Sequence, residues 1–442
     1  MTTSKRLLLV SDAPDERAND MAERLQEDGF NVVQAQDSDG DLARAARDVD
    51  AVLLNVSQDE SGGISALDTM AATLRKALSS QRHPIFAITD EADGGHAMPA
   101  GIDDVLRPPF DPAQLGARIA ALQRLSTMRD ELARRRETAR EYGLDIPDPT
   151  RSDPLRDAGV LVVGSGPYFG RLESEMKSLG TVFGALSGAT ALDYLLYRSF
   201  DLVIVEMPAW EAEDFLADLR RNARFHDLPV LMLADAVNEA DVSRLYACGV
   251  TDIIAFDQHE PTFVLRAEAL INEHRLRENL RQSYRSARHV ATSDALTGLY
   301  SRGFLLDHLT RVITDVERSH DPLTIAAFNI DNIGAINADL GYPAGDRIIR
   351  QVSDILINMV RGEDLAARWA GPIFVLVLTA TRAEDAEAAM HRIAAVIEAS
   401  SFSLNGFDET VTVMLHRAIA PFEPGDTAEV LVRRAVETVH GV

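Results

Sequence analysis

Arg361 and Asp364 stand close enough in the chain to face one ligand from a single turn. A guanidinium fork pairs with phosphate or with the O6/N7 edge of guanine, and a carboxylate accepts from the N1–H and N2–H of the same base. The Arg-x-x-Asp spacing alone is cheap, since Arg17/Asp20, Arg47/Asp50, Arg224/Asp227 and Arg318/Asp321 repeat it. Its position in the chain gives it meaning. Leu365-Ala366-Ala367-Arg368-Trp369 leads from the pair to Ala370-Gly371-Pro372-Ile373-Phe374, a segment with no side-chain oxygen to offer a metal ion.

The chain has 442 residues and a formal charge of −25. That length accommodates about three ordinary domains. The acidic balance argues against nucleic-acid binding by bulk electrostatics, so an anionic ligand must be gripped by local arginines. Cys248 is the sole cysteine, which excludes an intramolecular disulfide and fits a reducing, cytoplasmic setting. No apolar run approaches the roughly 20 residues of a membrane-spanning helix, so no membrane insertion is expected. The N-terminal Leu7-Leu8-Leu9-Val10 reads as a buried strand rather than a signal peptide, because acidic residues interrupt it at once.

Short apolar runs alternate with amphipathic stretches, the pattern of a parallel sheet with crossover helices. Strands are predicted at Leu7–Val10, Asn31–Val33, Val52–Leu54, Ile85–Ile88 and Asp104–Leu106. A second series comes at Val160–Val163, Thr181–Phe183, Leu202–Val205, Val230–Leu233 and Asp252–Ile254, which reads as an internal duplication. A long helix is predicted from Asp111 to Tyr142, with Leu115, Ile119, Leu122, Leu125 and Leu132 on one stripe, and another from Pro261 to His289.

Both modules resemble response-regulator receiver domains, which implies a doubly wound flavodoxin-like fold with its site at the strand carboxyl ends. In the first module the resemblance places the acidic metal site at Asp12, the phosphoacceptor position at Asn55, the hydroxyl at Thr89 and the family's cation at Arg107. Asn55 is an amide and cannot attack a phosphodonor as a carboxylate does. In the second module Gly164-Ser165, Glu206, Ala234 and Phe256-Asp257 occupy the same places, which makes it a structural adaptor. Glu206 is expected as a solvated strand end, the alternative being a permanent mimic of the phosphorylated state.

From Asp294-Ala295-Leu296-Thr297-Gly298-Leu299 onward the chain resembles a GGDEF domain, which implies a palm-like α/β fold. The family's metal carboxylates fall at Asn329 and Pro372, leaving Asp331, and its phosphate-binding lysine falls at Gly334. The last helix, Ala435-Val436-Glu437-Thr438-Val439-His440, brings no lysine either. Asn337 and Asp346 match the residues that hydrogen-bond guanine in the family, though Asp346 equally suits the cap of a helix starting near Arg347. Ala370, Gly371 and Pro372 thus complete a degenerate active site, with no catalytic residue, no resident metal and no cofactor expected.

Arg361 and Asp364 match the family's inhibitory, or I, site for cyclic di-GMP, and Arg392, in the predicted helix Ala383–Glu398, matches its third member. The expected architecture is α/β and multi-domain: two doubly wound receiver domains at 1–142 and 153–277, then a palm-like GGDEF domain at 290–442. This order resembles the PleD class of cyclases and, with the active site spent, PopA-like cyclic di-GMP effectors. That resemblance implies a non-enzymatic adaptor, a homodimer, recruitment to a cell pole and a ClpXP protease partner in cell-cycle control. A residual diguanylate cyclase and a nucleotide-independent scaffold are the alternatives.

Overall fold

The computed structural model describes residues 5–11, 16–36, 42–45, 49–55, 63–78, 83–88, 101–106, 111–146, 157–222, 225, 227–234, 239–255, 262–286, 292–403 and 410–440. The chain groups into two compact units, residues 1–126 with 151–277 and residues 127–150 with 278–442.

In the first unit β1 (Arg6–Ser11), α1 (Glu16–Glu27), β2 (Asn31–Gln36), α2 (Leu42–Ala45), β3 (Ala51–Asn55), α3 (Gly63–Leu78), β4 (Ile85–Ile88) and β5 (Asp104–Leu106) precede helix α4 (Pro112–Glu141). The series returns as β6 (Ala158–Gly164), α5 (Phe169–Met176), β7 (Gly180–Ala185), α6 (Gly188–Tyr197), β8 (Leu202–Glu206), α7 (Ala209–Arg221), β9 (Val230–Ala234), α8 (Glu239–Ala247), β10 (Asp252–Ala255) and α9 (Thr262–Ser286). The two parallel sheets run β2-β1-β3-β4-β5 and β7-β6-β8-β9-β10, the same doubly wound order. Alternate residues of β1 feed opposite cores: Leu8 and Val10 pack with Met70 and Leu74, while Leu7 and Leu9 pack with Leu115 and Ile119. Burial on both faces is why the inner strands β1, β3, β4, β6, β8 and β9 read as apolar runs, while the edge strands β2 and β7 do not.

Five buried charges join the two modules of this unit. Asp104 and Asp252 open β5 and β10, and each pairs with an arginine 14 residues on, Arg118 and Arg266 respectively. Arg266 also reaches Asp104, and Arg118 lies 3.0 Å from Glu273. Burial by itself would raise Asp104's carboxyl, but Arg118 and Arg266 outweigh it and hold the group below the ordinary range.

The second unit contains α10 (Arg302–Ser319), β11 (Leu323–Ile330), α11 (Ile333–Leu340), α12 (Tyr342–Met359), β12 (Leu365–Ala370), β13 (Ile373–Thr379), α13 (Ala383–Ala399), β14 (Phe402–Ser403), β15 (Thr410–Val411), β16 (Leu415–Pro421) and α14 (Ala428–His440). Its antiparallel sheet runs β12-β13-β11-β16, with β14 and β15 forming a separate pair. Ser301 caps α10 by accepting from Phe304 N at 3.3 Å. Ala139 and Ile146 are buried in one core of this unit with Phe304, Leu309 and Val436. The unit boundary therefore falls inside α4, although the sequence assigns that helix whole to the first module. Among the described residues no helix is long and apolar enough to cross a membrane.

Candidate functional site

Asn55 ends β3, half-buried and in register with Ser11 and Ile88. Asp12, Thr89 and Arg107 lie outside the described residues. Glu206 overturns one expectation, for it is buried rather than solvated. Its Oε1 accepts from Tyr168 N at 2.7 Å. A Cβ on Gly166 would strike the Glu206 carboxylate, so that glycine makes the space the side chain fills, while a Cβ on Gly164 would strike the Glu206 backbone carbonyl. Burial pushes its carboxyl up, opposed by the Tyr168 amide.

In the second unit, β11 carries Asn329 to the end of the sheet, in register with Ile373 on β13 and His416 on β16. The turn between β12 and β13 places Gly371 at φ 52°, in the left-handed region that glycine tolerates. Pro372 O accepts from Ile330 N at 3.2 Å, so Asn329, Asp331 and Pro372 converge as the sequence expects. Arg368 braces the turn, donating from Nε to Gly371 O at 2.9 Å and from Nη1 to Asp294 Oδ1 at 3.1 Å. Burial would raise Asp294's carboxyl, but Thr297 and Arg368 outweigh it and hold the group low.

The amide of Asn329 is put to structural use: Nδ2 donates to Val439 O on α14 at 3.4 Å, while Oδ1 is buried with no hydrogen-bond partner among the described residues. Asp331, the remaining carboxylate, is exposed, and its Oδ2 lies 3.6 Å from His416 Nε2. Asn337 on α11 meets Gly345 on α12, where a Cβ would strike its Oδ1. Asp346 is exposed inside α12, which begins at Tyr342 with Gly341 at the capping position. Asp346 is therefore not the cap of a helix starting near Arg347.

Arg361 and Asp364 share one turn, closed by Asp364 N donating to Arg361 O at 3.1 Å. Arg361 is exposed and Asp364 is buried, with Oδ1 lacking any hydrogen-bond partner among the described residues. Burial, then the Glu363 carboxylate, push Asp364's carboxyl up to about 8, against the pull of Arg361. Arg392 is exposed on α13, and among the described residues no hydrogen bond or ion pair joins it to the turn.

Behind the turn, Glu363 O accepts from Thr379 Oγ1 at 3.3 Å and from Arg135 Nη2 at 3.2 Å. Sequence reasoning missed Arg135, which lies in a basic triplet. The available signal was Glu131 one helical turn earlier, bonded to Arg135 Nε at 2.7 Å. Glu131 also lies 2.8 Å from His308 Nε2. Burial would raise Glu131's carboxyl, but His308, Arg135 and Arg134 outweigh it and hold it well below the usual range.

The family described as diguanylate cyclase, GGDEF domain matches residues 291–440. The response regulator PleD of Caulobacter vibrioides is 27% identical over 446 residues, covering 99% of this chain and 96% of that protein. The diguanylate cyclase DgcP of Pseudomonas aeruginosa is 29% identical over 187 residues, covering 41% of this chain and 28% of that one. Among solved structures, the GGDEF domain of DgcB from Caulobacter crescentus in complex with c-di-GMP is 22% identical with a TM-score of 0.34, covering 35% of this chain and 91% of that one. Residues 291–440 thus match the GGDEF family, and the chain is similar along its whole length to the response regulator PleD.

Proposed function

We propose that this chain is a non-catalytic cyclic di-GMP effector, an adaptor that takes the dinucleotide at Arg361, Asp364 and Arg392. The observation that carries the reading is the pair Asn329 and Pro372 at the converging strand ends. Joining two GTP molecules requires divalent cations to neutralise triphosphate and activate the attacking 3′-hydroxyl. An amide already donating to Val439 O, a proline and one exposed carboxylate beside His416 make a poor cage for such cations. Asp364 supports the binding half of the reading: a buried carboxylate with an unpartnered oxygen is costly unless a ligand supplies donors, and guanine N1–H and N2–H are donors of the right kind.

The same reading extends to a cytoplasmic homodimer that is recruited to a cell pole and hands partners to the ClpXP protease. Residual cyclase activity is the second reading, favoured by the family description and by relatives named as cyclases. Calorimetric titration of the intact chain with cyclic di-GMP, paired with a product assay on GTP and Mg²⁺, separates them. The effector reading expects saturable heat and no product. Heat absent and product absent leaves a nucleotide-independent scaffold.

A further inference from the structure

We infer that Arg135 is a positioning residue for the Arg361–Asp364 turn, and that a ligand on that turn is felt by the helical segment packed behind it, residues 127–146. This rests on the cyclic di-GMP reading of the turn. Arg135 is 2% exposed, and its guanidinium lies 4.5 Å from the Tyr284 ring centroid and 5.6 Å from that of Tyr300. One edge of the fork is fixed on Glu131, and another nitrogen donates to Glu363 O, between the two ligand-facing residues.

The other contacts converge on the same place. Tyr284 donates from its hydroxyl to Met128 O. A Cβ on Gly362 would lie 3.3 Å from Tyr284 Cδ2 and 3.4 Å from Met128 Cε, so the turn rests directly on that ring and that side chain. Tyr300 is tied to β12 in turn, its N donating to Ala366 O at 3.1 Å and its O accepting from Arg368 N at 2.9 Å.

The clamp is stiff because the fork is planar. Glu363 O cannot move away from Arg135 without losing its bond, and Arg135 cannot follow without leaving Glu131. Thr379 holds the same carbonyl from the sheet side. A ligand that grips Arg361 and Asp364 pulls on the residues flanking this carbonyl, so its affinity depends on the clamp having already ordered the turn. By reciprocity, occupancy tightens the segment that carries Glu131 and Arg135.

The test uses the full chain with cyclic di-GMP as the probe, in wild type, Arg135→Lys and Arg135→Met. Lysine keeps a cation for Glu131 and loses the fork that also reaches Glu363 O. Arg135→Lys is expected to unfold at a somewhat lower temperature, because the fork between Glu131 and Glu363 O and its stacking on Tyr284 are lost, and when folded to bind about three- to tenfold more weakly, the worth of roughly one hydrogen bond. Ligand should slow amide exchange across residues 127–146 in wild type and less so in Arg135→Lys. A purely structural arginine would lower the unfolding temperature but leave the affinity of the folded protein, and the ligand-dependent protection of residues 127–146, unchanged. Should Arg135→Met fail to fold, Arg135→Lys decides. Wild type and variant binding equally, with no ligand-dependent protection of residues 127–146, overturns the coupling alone. Wild type that binds nothing overturns the ligand reading, and the coupling with it.

Discussion

Strand β12 joins two turns that the sequence has treated differently. Its six residues, Leu365–Ala370, put ~20 Å between the Arg361–Asp364 turn at one end and the Gly371-Pro372 turn at the other. The Pro372 end is closed on itself: Ile330, Arg368 and Val439 use backbone and side-chain groups to satisfy their neighbours. The Asp364 end is held from behind by Arg135 and Thr379 and leaves its functional groups unsatisfied toward the front. At the Pro372 end the groups are turned mostly to internal hydrogen bonds, with only Asn329 Oδ1 left buried and unpartnered among the described residues. The Asp364 end, if it takes a ligand as proposed, offers it an exposed guanidinium and a buried carboxyl with one oxygen unpartnered among the described residues.

The largest test of this contrast is to try to reverse it. Asn329→Asp with Pro372→Glu restores two carboxylates, yet the double variant is expected to form no product from GTP and Mg²⁺. Residues that act as a unit do not recover rate when half the set is repaired, and Gly334 still stands where the family has lysine. The carboxylate introduced by Asn329→Asp would also face Val439 O, where the native amide offers a donor. Turnover by the unmodified chain in a product assay would break the comparison outright.

At the other end, Arg361→Ala should weaken cyclic di-GMP binding by about ten- to a hundredfold, since a charge-assisted hydrogen bond is worth roughly 1.5–3 kcal/mol. The Arg361 side chain is exposed and makes no hydrogen bond or ion pair with a described residue, so the unfolding temperature should hardly move. Equal affinity of wild type and variant in calorimetry would remove the turn from the site.

How far the sequence announces these features depends on where their causes lie. The ten strands of the first unit were legible to within a few residues, the inner ones because strands covered on both faces are continuous apolar runs and the edge strands β2 and β7 by their place in the repeated series. The convergence of Asn329, Asp331 and Pro372 was legible by resemblance. Glu206 was not, since room for its carboxylate depends on Gly166, just beyond β6, lacking a Cβ. Arg135 was not, because its partner Glu363 lies 228 residues away and a basic triplet on a helix ordinarily faces water. Nor did local spacing reveal that α12 starts at Tyr342, which strips Asp346 of a capping role.

The pH dependence of binding sharpens the contrast further. Asp364 is protonated in the free protein below about pH 8, whereas accepting from guanine requires the carboxylate. Binding below that pH must expel a proton, so affinity should rise by up to about tenfold per pH unit between roughly pH 6 and 8 and then level off. Titrations in buffers of different ionisation enthalpy should show the proton released. An affinity flat across that range would mean that Asp364 does not meet the ligand as a carboxylate.

The last effect is on folding, and its sign separates strain from support. Asp364 has a folded pKa of about 8, above its unfolded value, so between roughly pH 4 and 8 the folded state holds a proton that the unfolded chain has lost. Its contribution to stability therefore falls as pH rises through that window and is lowest above about pH 8. Asp364→Asn removes the titration while keeping the size of the side chain. The variant should unfold at a higher temperature than wild type at about pH 8.5 and at nearly the same temperature at about pH 3.5, while its affinity for cyclic di-GMP drops at the alkaline pH. A lower unfolding temperature for the variant in the alkaline buffer would show instead that the carboxylate supports the turn, and the charge left unpaired at the ligand-facing end of β12 would no longer distinguish it from the closed end at Pro372.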